Sequence, residues 1–96
     1  MDFDVHHGNG TQHIFEGDAT VFYYSIHEHP SFAYPGTGRE FEKGTGEGQG
    51  FTLNSPIIPG QGDREYKEAI ESDLLPAFFA FEPEFIIVSA GFDAHI

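Results

Sequence analysis

Cysteine is absent from the 96 residues, which excludes a disulfide framework and any thiolate metal site. A metal held by this chain must use His and carboxylates. Lys and Arg together number 4 against 16 Asp and Glu, a formal charge of −12. That balance excludes direct nucleic-acid binding through clustered cations and docking on an anionic membrane surface. It permits a cationic substrate. No apolar run approaches the ~18 residues of a membrane span, and the N-terminus carries no signal-peptide pattern; a cytoplasmic location is the expectation. Trp is missing and Met occurs once, yet there are eleven Phe and 39% of the residues are hydrophobic. That is too apolar for a disordered acidic tail.

The ends of the chain predict an excerpt of a larger domain, residues 1–96 being truncated on both sides. Met1 leads at once into Asp2-Phe3-Asp4-Val5-His6, an alternating pattern that puts Asp2, Asp4 and His6 on one face of a strand. His7-Gly8-Asn9-Gly10 reads as a turn and 11–15 as a short helical turn. Residues 20–26, rich in β-branched and aromatic side chains, predict a strand. Residues 27–50 carry two Pro and six Gly and predict a long loop, with a short strand over 51–54 curtailed by Pro56. Asp63 is the expected N-cap of an amphipathic helix with the stripe Tyr66, Ile70, Leu74, Ala77, Phe78 and Phe81. Pro76 should kink or split it. Phe85-Ile86-Ile87-Val88-Ser89 predicts a fully buried strand, so the alternation of strands and helix points to an α/β fold with a parallel sheet.

Functional groups in open α/β sheets gather beyond the carboxyl ends of strands. Asp4 and His6 at one strand tip, with Asp93 just past another, make a set of one imidazole and two carboxylates. Such a set suits Zn2+ with a position left for water and substrate, and Fe2+ also suits it. His13, His27, His29 and His95 are isolated and read as exposed or structurally hydrogen-bonded. His27-Glu28-His29 repeats the two-residue spacing but is assigned to a loop without a third partner. The G-x-G repeats at 36–50 lack a strand-to-helix context, which argues against a phosphate loop.

Asp2-Phe3-Asp4-Val5-His6-His7-Gly8-Asn9-Gly10-Thr11-Gln12 resembles the metal-ligand block of the histone deacetylase superfamily, which includes bacterial acetoin-utilization proteins and acetylpolyamine amidohydrolases. Tyr34-Pro35-Gly36-Thr37-Gly38 and Ser89-Ala90-Gly91-Phe92-Asp93-Ala94-His95 resemble two further blocks in the same order. The resemblance implies a partial segment of the three-layer arginase–deacetylase fold, with Asp4, His6 and Asp93 as ligands of a catalytic zinc. It implies that Asp2 orients a catalytic His and helps to hold a structural K+. Ser25 and the carbonyls of Asp4, His6 and Ile26 fall where that ion is bound, and a second monovalent cation lies near Phe15, Asp18 and Val21. Tyr34 matches the aromatic lining of an acyl-lysine channel, and His7 matches a position near the metal. Asn9 stands where some members carry an Asp that orients a second His, a form resembling the class II and bacterial branch.

The implied activity is hydrolysis of acetyl-lysine or acetylpolyamine amides. In that family a tandem His pair upstream and a Tyr downstream supply acid–base chemistry and oxyanion stabilisation. Neither is in this sequence, so the isolated chain is expected to be inactive. Two rivals stand beside this reading: a non-catalytic metal- or cation-binding module, and an acidic interaction domain.

Overall fold

A computed structural model describes residues 1–2, 7–28, 38–58 and 62–89. In chain order the elements are helix α1 (Asn9–Phe15), strand β1 (Tyr23–Glu28), a 3-10 turn (Gly46–Gly48), strand β2 (Thr52–Ile57), helix α2 (Asp63–Ala69), a π turn (Ile70–Leu74) and helix α3 (Leu75–Phe81). β1 and β2 are parallel, with Tyr23 opposite Thr52, Ser25 opposite Asn54 and His27 opposite Pro56. Asp2 makes parallel bridges to Ser25 on one side and Ser89 on the other. The described lanes therefore run in the order 87–89, 1–2, β1, β2, all in one direction, as the sequence predicts for a parallel sheet.

β1 starts and ends later than the propensity pattern indicates. The Asp18 carboxylate accepts the Thr20 N–H at 2.7 Å and the Thr20 hydroxyl at 2.6 Å, and this local turn keeps 18–20 out of the ladder. β1 then runs on through His27, which the sequence reading assigns to a loop. β2 includes Pro56 rather than stopping at Asn54. As an edge strand among the described residues, it can carry a residue that donates no hydrogen bond.

β1 is buried on both faces from Tyr23 to His27, and period-2 alternation divides its side chains. Tyr24 and Ile26 face an apolar core with Ile57, against which Leu53, Tyr66, Ala69, Ile70 and Leu74 pack. Full burial of an Ile side chain there contributes about 2 kcal/mol. One polar thread crosses this core: Tyr24 donates to Ser55 Oγ at 2.9 Å, and Ser55 donates to Asp73 Oδ2 at 2.6 Å. Burial raises the Tyr24 hydroxyl to about 12 against the opposing Ser55 bond, and the Asp73 charge adds to the rise.

Gly62, not Asp63, is the N-cap of α2. The reason is Glu65 at the third helical position, whose carboxylate reaches back to accept the Gly62 N–H at 2.8 Å, one half of a capping box. The expected disruption at Pro76 takes the form of the π turn just ahead of it. Proline lacks an N–H and its ring crowds the carbonyl four residues earlier, which a widened turn relieves. Phe81 sits within 5.5–5.9 Å of Phe22 and Phe51, ring centre to ring centre, while Phe79 is exposed.

Residues 85–88 do not form the fully buried strand that their composition predicts. Phe85 is 82% and Ile87 72% exposed. Their contacts to the sheet are backbone bonds to Met1: its N-terminus donates to the Ile87 carbonyl at 2.9 Å and Ser89 donates to the Met1 carbonyl at 2.8 Å. Burial requires a layer on each face, and no described element lies over this run.

α3 ends at Glu82 in the left-handed conformation, φ 53° and ψ 63°, a geometry that favours glycine at a helix C-terminus. Glu82 is exposed, so removing its side chain forfeits no packing. Glu82→Gly is expected to stabilise the folded state by about 1 kcal/mol, read as a raised urea midpoint at unchanged slope. An unchanged or lowered midpoint would contradict the assignment.

Candidate functional site

The face of the sheet opposite the apolar core is polar. Tyr23, Ser25 and His27 project there from β1, with Thr52 and Asn54 beside them on β2; all five are buried. Asp2 joins them, because its bridge places it directly opposite Ser25, and paired residues share a face. The ladder that seats Asp2 is formed by its N–H to the Tyr24 carbonyl at 2.7 Å and its carbonyl to the Ile26 N–H at 3.0 Å.

α1 covers one end of this face. Its residue Gln12 is 7% exposed and ties three elements together. The Gln12 Oε1 atom accepts from His7 Nε2 at 2.7 Å and from Asn54 Nδ2 at 2.8 Å, while its Nε2 donates to Glu42 Oε1 at 2.8 Å. Glu42 in turn gathers backbone donors. Gly38 N–H lies 3.1 Å from both carboxylate oxygens, and Arg39 N–H donates to Oε2 at 3.0 Å. The Asn54 amide also donates to the Glu42 carbonyl at 3.1 Å.

The His7 and His27 rings lie 4.7 Å apart, tilted by 50°. His27 Nε2 meets the Gly38 carbonyl at 2.6 Å and Nδ1 meets Ser25 Oγ at 2.6 Å. Gly38 has φ +90°, and a Cβ there would strike His27 Nε2 and the His7 ring. A Cβ on Gly8 would similarly strike the Asp2 carboxylate and the Tyr23 hydroxyl. Both glycines stand where the backbone must approach a buried polar group closely.

The electrostatics follow the burial. Desolvation lowers the His7 imidazole below its usual value, against opposing effects from the Gln12 bond and the Glu42 and Asp2 charges. Burial lifts the Tyr23 hydroxyl to about 12, opposed by bonds to Ser25 and Gly8 and reinforced by the Asp2 charge. For Glu42, burial pushes upward, but the bonds from Arg39 N–H, Gln12 and Gly38 N–H, with the His7 charge, outweigh it and hold the carboxyl below the ordinary value.

Of the residues singled out by sequence, Asp2, Ser25 and Ile26 come together around the Asp2–Ser25 bridge, all buried. Asn9 is exposed at the first position of α1, on the rim of a cleft of about 290 Å3 shared with Gln12, His13, Glu16 and Glu42. Asp4, His6, Tyr34 and Asp93 lie outside the described residues. Among the described residues, no group of three or more His, Cys, Asp or Glu is placed to hold a metal, and no helix is long and apolar enough to cross a membrane. A carboxylate and a hydroxyl side by side are hard oxygen donors of the type that suits a group 1 cation, so Asp2 and Ser25 fit the K+ that the sequence resemblance implies. For the zinc, the donor chemistry of the sequence fits.

Gln12, Glu42, Asn54 and the role of Gly38 escape sequence reading. Their bonds to one another span 12 to 42 positions, with the exception of the Gly38–Glu42 pair, and no periodicity links them.

The histone deacetylase domain family matches residues 1–96 in full. Among curated proteins, one named as a probable deacetylase of Archaeoglobus fulgidus is 47% identical over 95 residues, which is 99% of this chain and 26% of that protein. Histone deacetylase 15 of Arabidopsis thaliana is 49% identical over 96 residues, 98% of this chain and 17% of that protein. Among solved structures, the HDA15 HD domain superposes with a TM-score of 0.93 at 48% identity, covering 99% of this chain and 27% of that one. The acetylpolyamine aminohydrolase from Burkholderia pseudomallei gives 0.92 at 38% identity, covering 98% and 28% respectively. The chain thus spans about a quarter or less of the relatives it matches.

Proposed function

From the chain's membership of the histone deacetylase family, we propose that it is the metal-holding segment of a zinc-dependent deacetylase that hydrolyses acetyl-lysine or acetylpolyamine amides. The observation that carries this reading is the parallel bridge between Asp2 and Ser89. It sets Asp2 beside Ser89 in lanes that run the same way. Asp4 is two residues beyond one bridge partner and Asp93 four beyond the other. Ligands at neighbouring strand ends are the usual way an open α/β sheet assembles a site.

The division of labour follows from the chemistry. A bound zinc supplies positive charge to polarise the amide carbonyl and to acidify water. Asp4, His6 and Asp93 would hold it. Asp2, buried and anchored on both sides, is suited to orient a His and to face a K+. Tyr34 lines the passage for the acyl chain. The acid–base His pair and the oxyanion-stabilising Tyr that the family resemblance calls for are not among these 96 residues, which alone should give no turnover.

The test is made on the full-length protein. Wild type should contain one zinc and deacetylate a fluorogenic acetyl-lysine peptide or an acetylated polyamine. Asp4→Ala and Asp93→Ala should each weaken zinc by more than about 100-fold, beyond what loss of a supporting residue costs, and abolish turnover. Full zinc content in both variants would overturn the ligand assignment. Zinc binding that responds to these substitutions, without deacetylation of either substrate, would favour a non-catalytic metal-binding module instead.

A further inference from the structure

Two anchored residues bracket the stretch that carries Asp4 and His6. On one side Asp2 is fixed to the sheet by its backbone, through the Tyr24 carbonyl at 2.7 Å and the Ile26 N–H at 3.0 Å. On the other side His7 is buried and fixed by its side chain, its Nε2 meeting Gln12 Oε1 at 2.7 Å. The His7 ring stands edge-on to Tyr23 at 6.1 Å between centres and lies 4.7 Å from the His27 ring. Gly38 packs so closely that a Cβ there would strike it. The His7 carbonyl accepts the Asn9 N–H at 2.9 Å, where the chain turns into α1.

Valence sets the direction of the Gln12 amide. A carboxylate oxygen only accepts, so the amide atom 2.8 Å from Glu42 Oε1 is the NH2 group. The Gly38 and Arg39 N–H groups on the same carboxylate hold it in that charged form. The other amide atom is then the oxygen, and both His7 Nε2 and Asn54 Nδ2 donate to it. This direction holds whether the imidazole is charged or uncharged. Asn54, itself oriented by Gln12, also bonds to the His7 ring. Because Asn54 belongs to β2, the anchor of His7 runs through Gln12 to a strand two lanes away from Asp2.

From this geometry we infer that Gln12 is a positioning residue for the zinc site. By fixing His7 against β2 it sets the second end of the stretch that carries Asp4 and His6, and so limits the freedom those two ligands lose on meeting the metal. The inference rests on the proposed reading of Asp4, His6 and Asp93 as zinc ligands and adds the residue that steadies two of them. Groups that orient metal ligands from outside contribute about 10- to 100-fold in affinity.

The test measures the zinc Kd of the full-length apo-protein by competition with a chromophoric chelator, at neutral pH and below the onset of unfolding. Gln12→Leu should raise Kd by about tenfold. His7→Phe keeps the volume of the ring and leaves Gln12 bonded to Glu42 and Asn54; it should raise Kd by about tenfold as well. Because Gln12 acts through His7, the double variant should bind zinc within about twofold of His7→Phe alone. Additive losses, or an unchanged Kd in either single variant, would overturn the inference, and His7→Phe decides alone where Gln12→Leu does not fold.

Ser55→Ala separates positioning from overall stability. Ser55 bonds to Tyr24 and Asp73 on the other face of the sheet, so its loss should lower Tm yet leave Kd within about twofold. A Kd that weakens in Ser55→Ala as much as in Gln12→Leu would overturn the inference. Asp4→Ala and Asp93→Ala, measured alongside, report on the parent reading. Zinc lost in those two but retained at wild-type affinity in Gln12→Leu removes only the Gln12 role. Zinc retained in all of them removes the ligand assignment itself, and the Gln12 role with it.

Discussion

Replacing Gly38 with alanine is expected to destabilise the folded protein by about 2–6 kcal/mol, the sum of two separate penalties. The first is conformational. Gly38 sits at φ +90°, where a Cβ-bearing residue is strained by about 1–3 kcal/mol. The second is steric, because the new Cβ would overlap His27 Nε2 and the His7 ring. Neither ring can retreat without loss. His27 is held at both nitrogens, and His7 is bonded to the buried Gln12. Overpacking of that kind adds about 1–3 kcal/mol. Gly50 is the matched control: its φ is +89°, yet nothing lies within 4 Å of a Cβ built there. Gly50→Ala should therefore cost only the conformational part. Urea unfolding of the two variants measures the difference, and equal losses would remove the steric argument and with it the close packing of Gly38 on the two imidazoles.

His27 also marks the limit of what the sequence discloses. The β-branched and aromatic run ends at Ile26, and His27-Glu28-His29-Pro30 has the composition of a loop. The strand continues because Gly38, eleven residues on, offers a carbonyl to the ring and Ser25 a hydroxyl. That is a tertiary effect with no local pattern. The same holds for Gln12, Glu42 and Asn54, polar residues whose burial is set by one another.

What the local pattern does record is burial of an apolar stripe. Tyr66, Ile70 and Leu74 recur every four residues and do pack beneath Tyr24 and Ile26. Further on the stripe holds in part: Phe81 meets Phe22 and Phe51, while Phe78 is exposed, because the π turn shifts the phase ahead of Pro76. Phe85 to Val88 teach the complementary point: an apolar run shows that a segment requires neighbours on both faces, and only the surrounding chain supplies them. Asp4, His6 and Asp93, the zinc ligands expected from spacing and family resemblance, lie outside the described residues, and the network that supports Asp2 and Ser25 left no pattern in the sequence.

Glu42→Gln is expected to destabilise the protein by about 2–4 kcal/mol at neutral pH, with a loss that fades in acid. One carboxylate presently accepts from two backbone N–H groups and the Gln12 amide. An amide has one acceptor oxygen, and its NH2 would face a donor, so at least one buried donor goes unpaired at about 1–3 kcal/mol. The pH dependence follows from the direction of the Glu42 shift. Its folded value lies below the ordinary 4.5, so the unfolded chain takes up its proton first. The stabilisation is fully present above the unfolded value and is lost as pH falls through the folded one. The amide of the variant cannot titrate. The gap in unfolding free energy between wild type and Glu42→Gln should thus stay constant from pH 7 down to the ordinary Glu value, then narrow below it. A gap that holds steady through that acid range would show that Glu42 is not acting as a charged acceptor. Its grip on Gly38 would then be shape alone, and the chain of contacts from Glu42 through Gly38 to His27 and Ser25 would lose its electrostatic anchor.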